Sequence, residues 1–107
     1  MPTISEHRPI VTVIEVFTVR PERQQALIDV ETAAITHMMR LQPGYISVSL
    51  HRSFDGTKVT SYVQWQDRES FVAMLSIPEA QTYIQQAKAI AESFEVHFYE
   101  VVLTDIE

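Results

Sequence analysis

A chain of 107 residues has room for one domain around one core, and an apolar share of 46% is that of an ordinary globular protein, not a disordered or fibrous one. The net charge of −6, from 14 acidic and 8 basic side chains, argues against nucleic acid or an anionic membrane surface as partner. The chain has no cysteine, which excludes disulfides, thiolate catalysis and thiolate metal sites.

No apolar run approaches the ~20 residues that cross a bilayer. The opening M-P-T-I-S-E-H-R-P lacks the apolar core of a signal peptide, so a cytoplasmic location is expected. Residues 1–9 are polar, carry Pro2 and Pro9, and read as a loose N-terminal arm; the domain proper is 10–107. Ile10 to Val19 is a strand, β-branched and apolar on both faces except at Glu15. A strand of that kind is covered on both sides.

Arg20-Pro21-Glu22 opens a helix, with proline in the first turn and an acid near the positive end of the dipole. The helix is expected from Glu22 to Arg40. Leu27, Val30, Ala34, Met38 and Leu41 form its apolar stripe, and Gln42-Pro43-Gly44 ends it. Two alternating runs follow, Tyr45 to Phe54 and Thr57 to Gln66, joined by Asp55-Gly56, a strong hairpin signal. A two-residue turn there sets Leu50 opposite Ser61, Val48 opposite Val63 and Ile46 opposite Trp65 on one face. The other face pairs His51 with Thr60, Ser49 with Tyr62 and Ser47 with Gln64.

Asp67 is positioned to cap a short helix, Arg68 to Leu75, that buries Phe71, Met74 and Leu75. Ser76-Ile77-Pro78 breaks it. A second helix, Glu79 to Glu92, carries Ala80, Tyr83, Ile84, Ala87, Ile90 and Ala91 on one side. The last strand is expected over Phe94 to Thr104. The order is βαββαβ with the second helix broken in two, which is the ferredoxin-like α+β unit: a four-stranded antiparallel sheet with helices on one face. Because the first strand is apolar on both sides, the bare face is expected to meet a second copy, giving a homodimer.

The single Trp, at the end of the third strand, faces the same way as Ser61, just before a covering helix. An indole and a hydroxyl on one wall suit a pocket for a flat aromatic. The alternative is a core indole whose N–H meets a backbone carbonyl, with Ser61 bonded to a neighbouring backbone group. Pro43-Gly44-Tyr45, His51-Arg52-Ser53 before Asp55-Gly56-Thr57, Ser61-Tyr62-Val63-Gln64-Trp65 and Ser76-Ile77-Pro78-Glu79 together resemble the antibiotic biosynthesis monooxygenase family, the dimeric α+β barrels. The similarity runs from about Val11 to Leu103.

The resemblance implies a small homodimeric enzyme that oxidises a phenolic or polycyclic aromatic to a quinone with O2, without metal, flavin or haem. The family signature is Asn-Tyr-x-x-Trp. Tyr62 and Trp65 match it, but Ser61 stands at the Asn position and the chain has no asparagine at all. Phe71 stands where polyketide-tailoring members carry a tyrosine. On this reading Trp65 and Ser61 are catalytic, donating to the negative charge of a phenolate or peroxide in a dry site. Phe71, Met74, Val63, Tyr83, His37 and Met38 bind the substrate. Two rivals share the scaffold: a non-catalytic barrel for a small hydrophobic ligand, and a polyketide cyclase or isomerase. The second requires Glu15 or His37 to line the cavity as acid or base.

Glu15 is the odd residue of its strand, either a base raised by burial or a carboxylate paired with a cation, solvent or the partner copy. Tyr62, His51 and His97 read as structural residues near the dimer interface, and Arg40 and Arg52 as solvated surface charges. No His-x-His, H-E-x-x-H or clustered carboxylate spacing suggests a metal. The absence of histidine between Arg52 and Glu95 disfavours haem chemistry of the kind that relatives perform with an axial histidine there. With only Gly44 and Gly56, there is no phosphate-binding glycine loop.

Overall fold

The computed structural model describes residues 10–107, so the arm expected at 1–9 lies outside the described residues. The elements are β1 (Val11–Thr18), α1 (Gln24–His37), β2 (Tyr45–Arg52), β3 (Lys58–Trp65), α2 (Arg68–Leu75), α3 (Pro78–Ile90) and β4 (Ser93–Tyr99). The sheet order is β2-β3-β1-β4 with every neighbour antiparallel, which is the ferredoxin-like α+β topology.

Local chemistry explains most boundaries. Pro21 opens a 3-10 turn, Pro21–Arg23, ahead of α1. Buried Gln24 then donates from Nε2 to the carbonyls of Ser53 (3.2 Å) and Lys58 (3.0 Å), tying the start of α1 to the β2–β3 hairpin. Asp67 caps α2 by accepting from the Ser70 N–H at 2.8 Å. Pro78 restarts the chain as α3 after the break.

Four expectations need correction. α1 stops at His37, and Met39–Leu41 winds as a 3-10 turn. The tighter winding takes Leu41 off the stripe, and it stands 72% exposed. The hairpin keeps the central pairs Leu50–Ser61, Val48–Val63, Ser49–Tyr62 and His51–Thr60. Its loop, however, is longer than two residues: Gly56 N–H bonds the Ser53 carbonyl and Gly56 adopts φ +82, a turn over Ser53 to Gly56. An irregularity between Tyr45 and Ser47 then puts Tyr45, not Ile46, opposite Trp65. Finally, β4 ends at Tyr99 rather than Thr104. Tyr99 pairs with Thr12, one residue from the start of β1, so the ladder runs out.

Odd-numbered residues of β1 and β3 face the helices and divide into two packed clusters. Val13, Met38, Val63, Trp65, Met74 and Ala80 form one; Phe17, Val19, Leu27, Val59 and Ala87 form the other. The opposite sheet face carries Ile14, Val16, Thr60, Tyr62, Gln64, Ser47, Ser49 and His51, none of them buried, while Thr12 on that face is the exception at 2% exposed.

Candidate active site

The seam between the two clusters is polar, and each element contributes to it at the middle of its apolar stripe. On β1, Glu15 sits between Val13 and Phe17; on β3, Ser61 sits between Val63 and Val59. Glu15 and Ser61 are direct partners in the ladder, and Ser61 Oγ donates to Glu15 Oε1 at 3.4 Å. On α1, Glu31 lies four residues after Leu27 and seven before Met38, so the helix turns it toward the same seam. It is 9% exposed, and no hydrogen bond or ion pair to it is formed among the described residues.

A cavity of about 80 Å³ opens at this seam, between the sheet and the three helices. Glu15 and Glu31 supply its carboxylates. Phe17, Phe71, Tyr83 and Phe94 supply aromatic wall, and all three methionines of the described residues, Met38, Met39 and Met74, line it. Lys88 also reaches the lining, its Nζ 5.8 Å from the Phe94 ring centroid. A dry cavity that holds benzene is about 150 Å³, so a fused-ring ligand must move side chains to enter. Methionine, unbranched and with three rotatable bonds, is the side chain that yields most readily.

Burial pushes the Glu31 carboxyl up to about 8, with the negative charge of Glu15 adding to the rise. Glu15 is also raised by burial, and the Ser61 hydroxyl offsets part of that. Each group is costly to ionise where it sits, and each opposes the other's ionisation.

Of the residues expected to bind substrate, Phe71, Met74, Tyr83 and Met38 line the cavity. Val63 is sealed in the first cluster, and His37 is exposed at the end of α1; neither reaches the lining. Trp65 and Ser61 do not line it either, since each is packed beneath those that do. Trp65 is fully buried, with edge contacts to Tyr45 (5.8 Å between centroids) and Phe71 (6.1 Å). Its Nε1 is buried without an acceptor among the described residues, so the backbone-carbonyl partner expected of a core indole is not what it has. Met38, Met74 and Phe71 belong to both the Trp65 cluster and the cavity wall.

His51 and Tyr62 lie on the open sheet face, and so does His97, whose Nε2 is 3.3 Å from Glu95 Oε1. Arg52 donates to Gln25 Oε1 at 2.6 Å and Arg40 is exposed; both are away from the cavity. Among the described residues no three His, Asp or Glu side chains are grouped as metal ligands, and no helix is long and apolar enough to cross a membrane. The residue that sequence reasoning missed is Glu31. Its signal was present: Leu27, Glu31, Ala34 and Met38 are spaced by four, three and four, so the true stripe passes through an acid.

Comparison with known proteins starts from a family match, antibiotic biosynthesis monooxygenase, over residues 10–86. The chain belongs to the antibiotic biosynthesis monooxygenase family. One family relative, the tetracenomycin-F1 monooxygenase of Streptomyces glaucescens, is 33% identical over 91 residues, 85% of this chain and 81% of that protein. Among solved structures, SnoaB from Streptomyces nogalater, a cofactor-independent oxygenase, superposes with a TM-score of 0.76 at 24% identity, covering 92% of this chain and 99% of that one. A conserved protein from Methanosarcina mazei reaches a TM-score of 0.80 at 14% identity, over 90% and 96% of the two chains. At such identities the superpositions establish the ferredoxin-like fold of the family and nothing finer.

Proposed function

We propose that this protein is a cofactor-independent monooxygenase that oxidises a phenolic or polycyclic aromatic to a quinone with O2. The observation that carries the reading is an aromatic- and methionine-walled cavity set against the Trp65 cluster, in a chain 33% identical to tetracenomycin-F1 monooxygenase over 85% of its length. Such a reaction needs an electron-rich ring, a site closed to water, and donors for the negative charge that develops as O2 is reduced. Trp65 Nε1 is a donor held without an acceptor, a state that costs about 1–3 kcal/mol. A ligand that displaces Met38 or Met74 reaches the indole and supplies the missing oxygen.

Catalysis in a homodimer fits the other sheet face. Ile14 and Val16 on the central strand are only partly covered, and Val102, Leu103 and Ile106 stand more than four-fifths exposed beyond β4. A second copy that buries both completes the fold, and sedimentation equilibrium giving a monomer at micromolar concentration would refute that part.

The test of activity is O2 uptake with a panel of anthrones and naphthols, wild type against Trp65→Phe. That change keeps an aromatic ring in the core but removes the N–H together with part of the ring volume, so circular dichroism and a urea melt accompany it. Uptake reduced about tenfold or more in the variant is expected. No wild-type uptake across the panel would reject the oxygenase. One observation favours a second reading: Glu15 lines the cavity, the condition for a cyclase or isomerase on this scaffold. Conversion of a polyketide-like substrate under nitrogen, with no O2 consumed, would establish it.

A further inference from the structure

Four residues before the indole and on the same face of β3, this chain carries a serine that turns to a carboxylate. The polar end of the cavity therefore carries carboxyl groups. Glu15 reaches it from the sheet and Glu31 from α1, on consecutive elements held across one seam. Glu31 is nine-tenths buried, faces the cavity, and has no partner among the described residues. The cation nearest the lining, Lys88, makes no ion pair with either carboxylate. Two such acids with no fixed cation among the described residues are costly to ionise, so a carboxylate formed there pulls strongly on a ligand's proton.

We propose that Glu15 and Glu31 together are the proton-handling catalytic groups of this cavity, taking the proton that a phenolic or enolisable aromatic must lose and returning one to the departing oxygen. The proposal rests on the oxygenase reading and names its substrate class: a ring system carrying an acidic O–H, or a C–H alpha to its carbonyl system, rather than a plain arene. With anthrone as example, a carboxylate takes a methylene proton and the C–H electron pair stays on the ring as enolate. The enolate gives one electron to O2, and the resulting radical and superoxide combine, forming the C–O bond of a peroxide. The peroxide is protonated, the second methylene hydrogen leaves to a carboxylate, the O–O bond breaks, and hydroxide takes a proton from the carboxyl partner to leave as water. The CH2 loses four electrons, O2 gains four, and quinone and water are the only products.

One acid and one base are needed in the last step, and a pair of like charges that cannot both ionise easily supplies both. The groups that face the pair are the Ser61 hydroxyl from β3 and Tyr83 and Lys88 from α3. Moving a proton from a phenol near pKa 10 to an ordinary carboxylate is uphill by roughly a million-fold, whereas to an acid held at about 8 it is uphill by roughly a hundred-fold. Burial thus places the acceptor within reach of the substrate.

The decisive measurement is deuterium exchange at the anthrone methylene under nitrogen, followed by NMR, with wild type, Glu15→Gln and Glu31→Gln. Wild type is expected to accelerate exchange over buffer, and each variant to lose roughly 100-fold or more of that acceleration. Binding of anthraquinone, which has no such proton, is expected to change less than about threefold, and circular dichroism checks the fold. The exchange rate in wild type is further expected to rise with pH through the titration of the pair, an inflection that either variant removes. No wild-type acceleration, or variants that keep it with the same pH profile, would overturn the role of the pair. O2 uptake is read separately in air: exchange without uptake rejects the oxygenase and leaves the pair standing, while uptake that survives both substitutions does the reverse.

Discussion

The two clusters under the helices are built from different material. The Phe17–Leu27–Val59 cluster is branched and aromatic, and no methionine contributes to it. The Trp65 cluster instead contains Met38 and Met74, with Met39 packed against it, around an indole whose N–H is unanswered. Stiff side chains specify a single arrangement, whereas methionine fills irregular space and lets it change. One half of the core therefore holds the sheet and helices in register, and under the proposed function the other yields to a guest. The acidic seam marks the border between them.

The largest expected effect is at the indole. Trp65→Ala should cost about 3–5 kcal/mol in urea unfolding, because a fully buried ring is removed from a site that can only partly collapse. A cost under about 1 kcal/mol would mean that the cluster is already loose. The comparison is sharpened by Met74→Ala against Val59→Ala, each expected to cost about 2–3 kcal/mol. Only the methionine change should also alter anthraquinone affinity in calorimetry, since Met74 lines the cavity and Val59 does not. Equal effects on binding would erase the distinction between the two halves.

The seam itself should make stability fall as pH rises. Folded Glu31 holds its proton up to about 8 against an ordinary 4.5, and Glu15 is shifted the same way. The folded state thus binds more protons than the unfolded chain across that window. This contribution is fully present below about pH 4.5 and is lost as pH climbs through about 8, a change of up to several kcal/mol. Melting temperature measured across that range should decline, and Glu31→Gln should flatten most of the decline; a rising or level profile in wild type would contradict the buried placement of the acid. The smallest effect belongs to Asp67→Ala. Loss of its bond to the Ser70 N–H should speed amide exchange in the first turn of α2 while leaving the rest of the chain unchanged.

Patterning alone made the element order, the open sheet face and the central hairpin pairs legible, because period-two alternation and the Asp55-Gly56 signal act locally. The winding of the chain after His37 and the irregularity at Tyr45 were not legible, since tertiary packing decides where a helix tightens and where a strand bulges. Strand alternation alone puts Trp65 and Ser61 on one wall, though both lie beneath the lining, whereas Phe71, Met74, Tyr83 and Met38 line the cavity itself. The expected stripe runs through Val30, an apolar residue being the default for a core position, whereas the helix buries Glu31. Reading Val13-x-Glu15-x-Phe17, Val59-x-Ser61-x-Val63 and Leu27-x-x-x-Glu31 together would have exposed one polar row running across three elements. No single segment shows it.

Carrying one tryptophan, enclosed and in edge contact with Phe71 and Tyr45, has a practical side. The chain possesses an intrinsic fluorophore whose emission reports on a single place, next to the chamber. Under the proposed function, titrating an aromatic quinone against that emission follows occupancy without labels, and its red shift on denaturation registers solvent reaching the indole as the core opens.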